Sequence, residues 1–467
     1  MGNSNFDCFS IDSMTKWKIA FIYSGFRLIP HKAPGLLYKP INENYAYAVN
    51  CSHPNSFRLL NKAQFNIFNA INGTDDLETI AGRLELSSNA LEKFVGLLRK
   101  TELVSFDNEF SLPKRPSKPE ALNFWVHTTN ACNLGCSYCY ISTLNTGKGM
   151  SAIVQQQLTH KLVETATNHQ IKQIKLRLAG GEPMGQFKSW KSYIPNVANA
   201  LAEVGCKLDV AFITNLTLLN DEIIEFAKQY NISFGVSLDG IGEIHDLTRQ
   251  FRSGAGTFEI VDRNLRRLIA EGINLSINVV VSNFNLVGLP ELTRYLIALD
   301  VTFRYSIVKG EAINSQLLDE YLTISHNIMQ EAIETGWQFS RRYQFCDLKP
   351  NDLSFQTCAS GFSGGAIYID GSFKYCHVHF GKDDHTERSI FNQDLDLLEL
   401  IETGAHHEDK KSEDCQKCKY RFVCTSGCPV YRIDDKDPQC SLYHRFIPKY
   451  YELQAKERLH LLSKCAL

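Results

Sequence analysis

Between residues 121 and 312, six apolar, β-rich runs alternate with helical stretches, and this alternation narrows the possible folds more than any other feature of the chain. The runs are Leu122 to His127, Ile174 to Leu178, Val210 to Thr214, Ile232 to Leu238, Leu275 to Val281 and Thr302 to Val308. Such a pattern predicts parallel strands joined by crossover helices. The expected class is α/β, and six units fit a partial (β/α)6 barrel of the TIM type better than a complete eightfold one. In a barrel or an open sheet alike, ligands gather beyond the C-terminal ends of the strands.

Upstream, after an N-terminal extension at 1–35, residues 36–110 read as a small separate domain. Strand-like pieces lie around Gly35 to Tyr38 and Tyr45 to Val49, and three short helices follow between Ala63 and Val104. Ile67, Phe68 and Ile71 make an apolar stripe that ends at Gly73, and Asp75 with Glu78 is a start signal for a helix containing Leu77 and Ile80. Asn89 with Glu92 opens the third helix, whose buried face is Leu91, Phe94, Val95 and Leu98. Small strands followed by three helices predict a winged-helix-like module. A DNA-reading helix is basic, yet the third helix sets Lys93, Arg99 and Lys100 against Glu92 and Glu102, so nucleic acid is not an expected partner. Prolines at 113, 116 and 119 among mixed charges make 111–120 an extended linker. The barrel then occupies 121–312, a bridging helical region 313–345, and a cysteine-rich domain 346–467.

A length of 467 residues accommodates two or three such units. Lysine plus arginine (49) nearly balance aspartate plus glutamate (51), so the overall charge favours neither nucleic acid nor an anionic membrane. No apolar run approaches bilayer length, and Met1 to Lys16 lacks the basic-then-apolar order of a signal peptide. Gly2 with Phe6 misses the myristoylation pattern, and Cys465 sits one position late for prenylation. A cytoplasmic location without a membrane partner is expected. In a reducing compartment fifteen cysteines are metal ligands before they are disulfides. Three stand together at Cys132, Cys136 and Cys139 and eight fall between Cys346 and Cys440, whereas Cys8, Cys51, Cys206 and Cys465 read as ordinary thiols.

The run Cys132-Asn133-Leu134-Gly135-Cys136-Ser137-Tyr138-Cys139 directly follows the first strand. Three thiolates on one loop hold three irons of a cubane and leave the fourth iron without a protein ligand. Zinc is the alternative occupant of such a site. Ala179-Gly180-Gly181-Glu182-Pro183 closes the second strand; its glycines let backbone approach a ligand closely, and Glu182 suits an ammonium group. Ser237-Leu238-Asp239-Gly240 ends the fourth strand, with His245-Asp246 and Arg249 shortly after.

These three motifs, in this order, resemble those of the radical S-adenosylmethionine superfamily. The resemblance implies that Cys132, Cys136 and Cys139 hold a [4Fe-4S] cluster whose open iron takes S-adenosylmethionine, and that one electron then releases a 5′-deoxyadenosyl radical. It further implies that Gly180, Gly181 and Glu182 bind the amino end of the methionine moiety. Ser237 and Arg249 would contact the same cofactor, Arg249 through its carboxylate, and Tyr138 would lie near the adenine. Asn215, ending the third strand, is either a further contact or the asparagine of a turn.

Downstream, Cys358, Gly371 and Cys376 take the form C-x12-G-x4-C, followed by Cys415-x2-Cys418-x5-Cys424-x3-Cys428 and then Cys440. This spacing resembles the SPASM extension of peptide- and protein-modifying members of the superfamily. It implies two auxiliary [4Fe-4S] clusters, one on Cys415, Cys418, Cys424 and Cys440 and the other on Cys358, Cys376 and Cys428. Cys346 is the candidate fourth ligand of the latter, and an open iron facing substrate is the alternative. A zinc site also suits Cys-x-x-Cys. His377 stands where the sulfatase-maturing branch carries an aspartate; it is either a catalytic base or a packing residue of the cluster.

Residues 36–110 resemble the recognition element of enzymes that modify ribosomally made peptides, where a leader peptide adds as a strand to the sheet edge. The expected protein is therefore a radical S-adenosylmethionine oxidoreductase acting on a precursor peptide. Thioether or carbon–carbon crosslinking is the leading reaction, and a reductant such as flavodoxin or ferredoxin is a further partner. Formylglycine formation on a sulfatase and peptide epimerisation are rival reactions, and a zinc-binding winged-helix regulator is the non-enzyme alternative.

Overall fold

The computed structural model describes residues 28–141, 146–345, 347–381, 388–403 and 411–465. Cys346, Cys8 and the stretch Met1 to Lys16 with Gly2 and Phe6 lie outside the described residues, as does the side chain of Cys465. The chain divides into two compact units, Met1–Leu112 and Pro113–Leu467.

In the first unit, β1 (His31–Lys32) pairs with β5 (Val104–Ser105), and an antiparallel sheet runs β2 (Leu36–Pro40), β3 (Tyr45–Asn50), β4 (Arg58–Asn61). Three helices follow β4: α1 (Lys62–Ala70), α2 (Leu77–Arg83) and α3 (Ser88–Lys100). Phe68, Ile80, Leu91, Val95 and Leu98 meet Ala48 and Leu60 of the sheet in one core. Two of the helices begin on residues other than those expected. Asp76 rather than Asp75 caps α2, accepting from the Thr79 amide at 2.8 Å, while Asp75 accepts from Asn72 and Arg83. Ser87 rather than Asn89 caps α3, accepting from the Ala90 amide at 3.3 Å. A cap must be the last extended residue, and Asn89 already lies inside the helix.

The second unit alternates β6 (Ala121–His127), α4 (Ala152–His169), β7 (Gln173–Ala179), α5 (Phe187–Glu203), β8 (Lys207–Thr214), α6 (Asp221–Gln229) and β9 (Ser233–Ser237). It continues with α7 (Phe258–Ala270), β10 (Leu275–Val281), α8 (Leu289–Ala298) and β11 (Thr302–Ile307). These are the six expected strands, and they pair in parallel in chain order. Along each strand one parity is buried beneath helices, as Ile277, Val279 and Val281 are in β10. Among the described residues no helix is long and apolar enough to cross a membrane.

The sheet extends beyond six strands at both sides. Within the expected bridging region, α9 (Ser315–Glu334) crosses back to β12 (Tyr343–Phe345), which pairs in parallel with β11. At the opposite side, β13 (Ala366–Ile367) pairs in parallel with β6 and antiparallel with β14 (Phe373–Lys374). The final helix, α10 (Cys440–Cys465), packs on α9, with Phe446 against His326 and Arg445 bonded to Asp319 at 2.9 Å. Three- and two-residue strands carry too little periodicity to be read from sequence; neighbouring strands make them.

The joint between β6 and the cysteine-rich segment is close. Asn123 and Trp125 amides donate to the carbonyls of Ser363 and Gly365 at 2.8 and 3.0 Å. A Cβ on Gly364 would stand 1.8 Å from the Asn123 carbonyl oxygen. Gly364→Ala should therefore lower stability by about 1–3 kcal/mol, read as the shift in denaturation midpoint. An unchanged midpoint would mean that this loop is not pressed onto β6.

Candidate active site

The cysteine loop leaves the end of β6 and lies between two other motifs. On one side the Gly181 and Glu182 amides donate to the carbonyls of Thr129 and Ala131 at 2.6 and 2.8 Å. Gly180 has φ +143°, and a Cβ there would stand 2.5 Å from the Thr129 oxygen; one on Gly181 would stand 2.0 Å from that of Ala131. The backbone these glycines admit is thus that of the cysteine loop. On the other side the Gly135 and Ser137 amides donate to Gln250 and Thr248, and Arg252 Nε donates to the Cys132 carbonyl at 2.9 Å.

Cys132, Cys136 and Cys139 are partly buried, free of disulfides and within one another's electrostatic field. Burial pushes the Cys132 thiol up to about 11 and raises Cys136 as well. Thiols so placed become thiolates only against added positive charge, which iron supplies, so the donor set fits an iron–sulfur cluster. Among the described residues no three His, Cys, Asp or Glu side chains converge as they would on a single ion. A cubane does not require that convergence, because each iron takes its own thiolate.

Glu182 is buried at the floor of the site. One oxygen accepts from Thr214 Oγ1 at 2.7 Å and the Met184 amide at 3.1 Å, the other from the Asn215 amide at 2.8 Å. Burial nevertheless pushes its carboxyl up to about 7. Asn215 forms a turn through its Oδ1, which accepts from the Thr217 amide at 3.0 Å. Its Nδ2 reaches the cysteine loop, donating to Asn133 Oδ1 at 3.0 Å with Cys132 Sγ at 3.8 Å.

Asp239, to which the sequence motif attached no role, is the hub of the third segment. Its side chain is fully buried; Oδ2 accepts from Arg249 Nε at 2.7 Å and from the Tyr138 hydroxyl, and Oδ1 accepts from the Val280 amide at 2.8 Å. Burial pulls the Arg249 guanidinium down, but Asp239 holds it well above its ordinary value. Arg249 Nη1 lies 3.8 Å from Cys136 Sγ, and the guanidinium stands 5.4 Å from the Tyr138 ring centre. His245 Nδ1 accepts from the Asp239 amide at 3.2 Å, and its other nitrogen lies 3.1 Å from Thr257 Oγ1. Asp246 caps α7 from outside the helix, accepting from the Thr257 and Phe258 amides at 2.7 and 2.9 Å. Ser237, the last residue of β9, is half-buried in register with Asn278. An aspartate two residues past an apolar strand and ten before an arginine was the available signal for this pair.

The C-terminal cysteines gather into two groups. Cys358, Cys376 and Cys428 lie in mutual fields, as do Cys415, Cys418, Cys424 and Cys440. Burial pushes Cys376 up to about 12 and Cys428 to about 11. His377 stacks on Trp125 of β6 at 4.1 Å between ring centres, and its Nδ1 is bonded to the Tyr140 hydroxyl of the first cysteine loop. Burial lowers its pKa to about 3.

Removing one member of a buried ion pair leaves the other charge uncompensated. Asp239→Asn should therefore cost about 3–5 kcal/mol of stability. Asp239→Asn combined with Arg249→Gln should recover part of that loss in the same denaturation assay; strict additivity of the two would show the pair to be uncoupled.

Residues 126–296 match the Radical SAM superfamily. The serine-type anaerobic sulfatase-maturating enzyme of Bacteroides thetaiotaomicron is 31% identical over 375 residues, spanning 70% of this chain and 90% of the relative. The cysteine-type enzyme of Clostridium perfringens is 24% identical over 349 residues, spanning 69% and 93%. Among solved structures, native anSMEcpe with bound AdoMet aligns with a TM-score of 0.59 at 20% identity, over 73% of this chain and 99% of that one. Streptococcus suis SuiB bound to its precursor peptide SuiA aligns with a TM-score of 0.50 at 14% identity, over 88% and 99%. With its three thiols on one loop beyond the first strand of a parallel sheet, and with these relatives, the chain belongs to the Radical SAM superfamily, which works with S-adenosylmethionine and a [4Fe-4S] cluster.

Proposed function

We propose that this enzyme is a peptide maturase, an oxidoreductase that modifies a side chain or α-carbon of a ribosomally made precursor peptide, with thioether or carbon–carbon crosslinking as the leading reaction. The observation that carries the reading is the first unit's sheet. Its outer strand β2 pairs only with β3 among the described residues, and Tyr38 on it is 44% exposed. An extended peptide adds to such an edge through main-chain hydrogen bonds. Support also comes from SuiB, captured with its precursor peptide, whose likeness covers a larger share of this chain than the second unit alone.

In this reading Cys132, Cys136 and Cys139 hold the cluster that, with S-adenosylmethionine bound, supplies a 5′-deoxyadenosyl radical. Glu182, its oxygens oriented by Thr214, Asn215 and Met184, takes the cofactor's ammonium group. Arg249, braced by Asp239, takes its carboxylate beside Cys136. Gly180 and Gly181 seat the loop, Ser237 contributes a hydroxyl at the end of β9, and Tyr138 lies towards the adenine. Cys358, Cys376 and Cys428, with Cys346 as candidate fourth ligand, hold one auxiliary cluster, and Cys415, Cys418, Cys424 and Cys440 hold the other. Clusters held there would supply an outlet for the electron that a substrate radical must lose to end as an oxidised product. His377, kept neutral by burial and oriented by Tyr140 and Trp125, is the candidate base, passing the proton on rather than retaining it. A reducing intracellular setting with flavodoxin or ferredoxin as electron donor belongs to the same reading.

Formylglycine formation is the second reading, favoured by the sulfatase-maturating relatives. His377 in place of that branch's aspartate weighs against it.

Anaerobically reconstituted protein should carry about twelve irons per chain. Alanine at Cys132, Cys136 and Cys139 should abolish 5′-deoxyadenosine formation, whereas alanine at the other sets should spare part of it; cleavage at the parental rate in the first variant would refute the initiating site. Incubation with a short peptide encoded beside the gene, in light and heavy water, separates the reactions by mass. Loss of two hydrogens marks a crosslink, and deuterium uptake without oxidation marks epimerisation. Conversion of a sulfatase-derived peptide to an aldehyde would favour the second reading.

A further inference from the structure

On the inner face of the parallel sheet Lys175 has Asp209 in register beside it, whereas Arg177 and Arg304 have no carboxylate bonded to them among the described residues. Along β7, Ile174, Leu176 and Leu178 are buried under helices, and Lys175 and Arg177 alternate onto the opposite face. Along β11, Phe303, Tyr305 and Ile307 are buried and Arg304 alternates likewise. Arg177 sits in register with Trp125, whose ring stacks on His377 beside Cys376. Arg304 is turned by a neutral partner, Asn278 Oδ1, which accepts from its Nε and Nη2 at 3.3 and 3.1 Å. Lys349 lies on the segment between β12 and Cys358, its amide donating to Val423 at 2.8 Å.

Among the described residues no carboxylate is bonded to Arg177, Arg304 or Lys349. Asp347 acts on Lys349 without a direct bond, and its oxygen is paired with Lys309 at 3.1 Å, which also has Asp437 at 3.8 Å. The three cations lie in one another's field and repel. Cys358 offsets the repulsion at Arg177, and at Lys349 Asp347 and then Cys358 do so; Lys309 and Asp347 both act on Cys428. Around Cys415, Cys418, Cys424 and Cys440 the charges are mixed, with Asp414 and Asp437 beside Lys419 and Lys436. Around the first set Arg177, Lys349 and Lys309 outnumber the one carboxylate, Asp347, whereas around the second the cations and carboxylates balance.

We propose that Arg177, Arg304 and Lys349, with Lys309, form an electropositive wall that raises the reduction potential of the auxiliary cluster on Cys358, Cys376 and Cys428 and makes it the more easily reduced of the two. The inference rests on the proposed function, which supplies that cluster. Reduction adds one negative charge, and a cation held nearby in a partly desolvated site stabilises the reduced form. A cluster held by Cys358, Cys376 and Cys428 would then be the first acceptor of the electron left on substrate.

An EPR-monitored redox titration of the anaerobically reconstituted full chain tests this, with the relevant signal identified as the one missing from a variant with alanine at Cys358, Cys376 and Cys428. Arg177→Gln and Lys349→Gln should each shift the reduction equilibrium of that cluster by about threefold towards the oxidised form, and together by about tenfold, which is 59 mV for a one-electron couple. Arg177→Lys should keep the parental midpoint. Should Arg177→Gln lose iron, Arg304→Gln gives the same comparison. Equal midpoints in the parent and the double variant overturn the proposal. An unchanged midpoint with a raised KM for an acidic peptide overturns it too, assigning the cations to a substrate carboxylate. If the triple alanine variant keeps the parental iron content and spectrum, no cluster sits at these thiols, and it is the auxiliary-cluster reading that fails.

Discussion

The site depends on a contact between two stretches of backbone that leaves no space for a side chain. Gly180 and Gly181, at the end of β7, lie against Thr129 and Ala131, and two amide-to-carbonyl bonds lock them there. Parallel pairing of β6 with β7 brings the two strand ends to the same level, and the absence of Cβ atoms lets the following turns touch. The thiol loop is thereby given a floor. The same turn presents Glu182 to Thr214 and Asn215 at the end of the next strand, so three successive strand ends become one surface.

A second constraint joins the distant end of the site. Asp239, with no exposed side-chain surface, gathers Arg249, the Tyr138 hydroxyl and the Val280 amide. A buried carboxylate is tolerated only when its oxygens are paired and hydrogen-bonded, and here every partner comes from a functional segment or the neighbouring strand. Tyr138 ties the cysteine loop to Asp239, and Asn133 ties it to Asn215. The three sequence motifs are thus joined in one hydrogen-bonded network.

The cysteine-rich segment reaches this surface by strand addition. β13 occupies the side of β6 that the six βα units leave unpaired, and β14 closes a hairpin whose exit carries Cys376 and His377 over Trp125. Pairing satisfies the edge of β6 and, at the same time, sets a second group of thiols across from the first loop, with Tyr140 and His377 bonded between them. At the other side, β12 and α10 seal β11 with aromatic contacts among Tyr343, Phe345 and Phe446.

The six strands, the helices between them and the cysteine spacing were legible because periodicity and short-range ligand spacing are written locally in residue order. The helix starts were read a residue or two away, since several capping side chains stood close together and only the backbone conformation chose Asp76 and Ser87. Nothing local announced β12, β13 or β14, whose two or three residues become strands only when β11 or β6 supplies hydrogen-bonding partners. The role of Asp239 and the positive inner face likewise belong to the tertiary structure. Residue order determined that thiols, a carboxylate and an arginine would arrive at strand ends; folding decided which of those charges face one another, because Coulomb energy depends on separation and burial rather than on position along the chain.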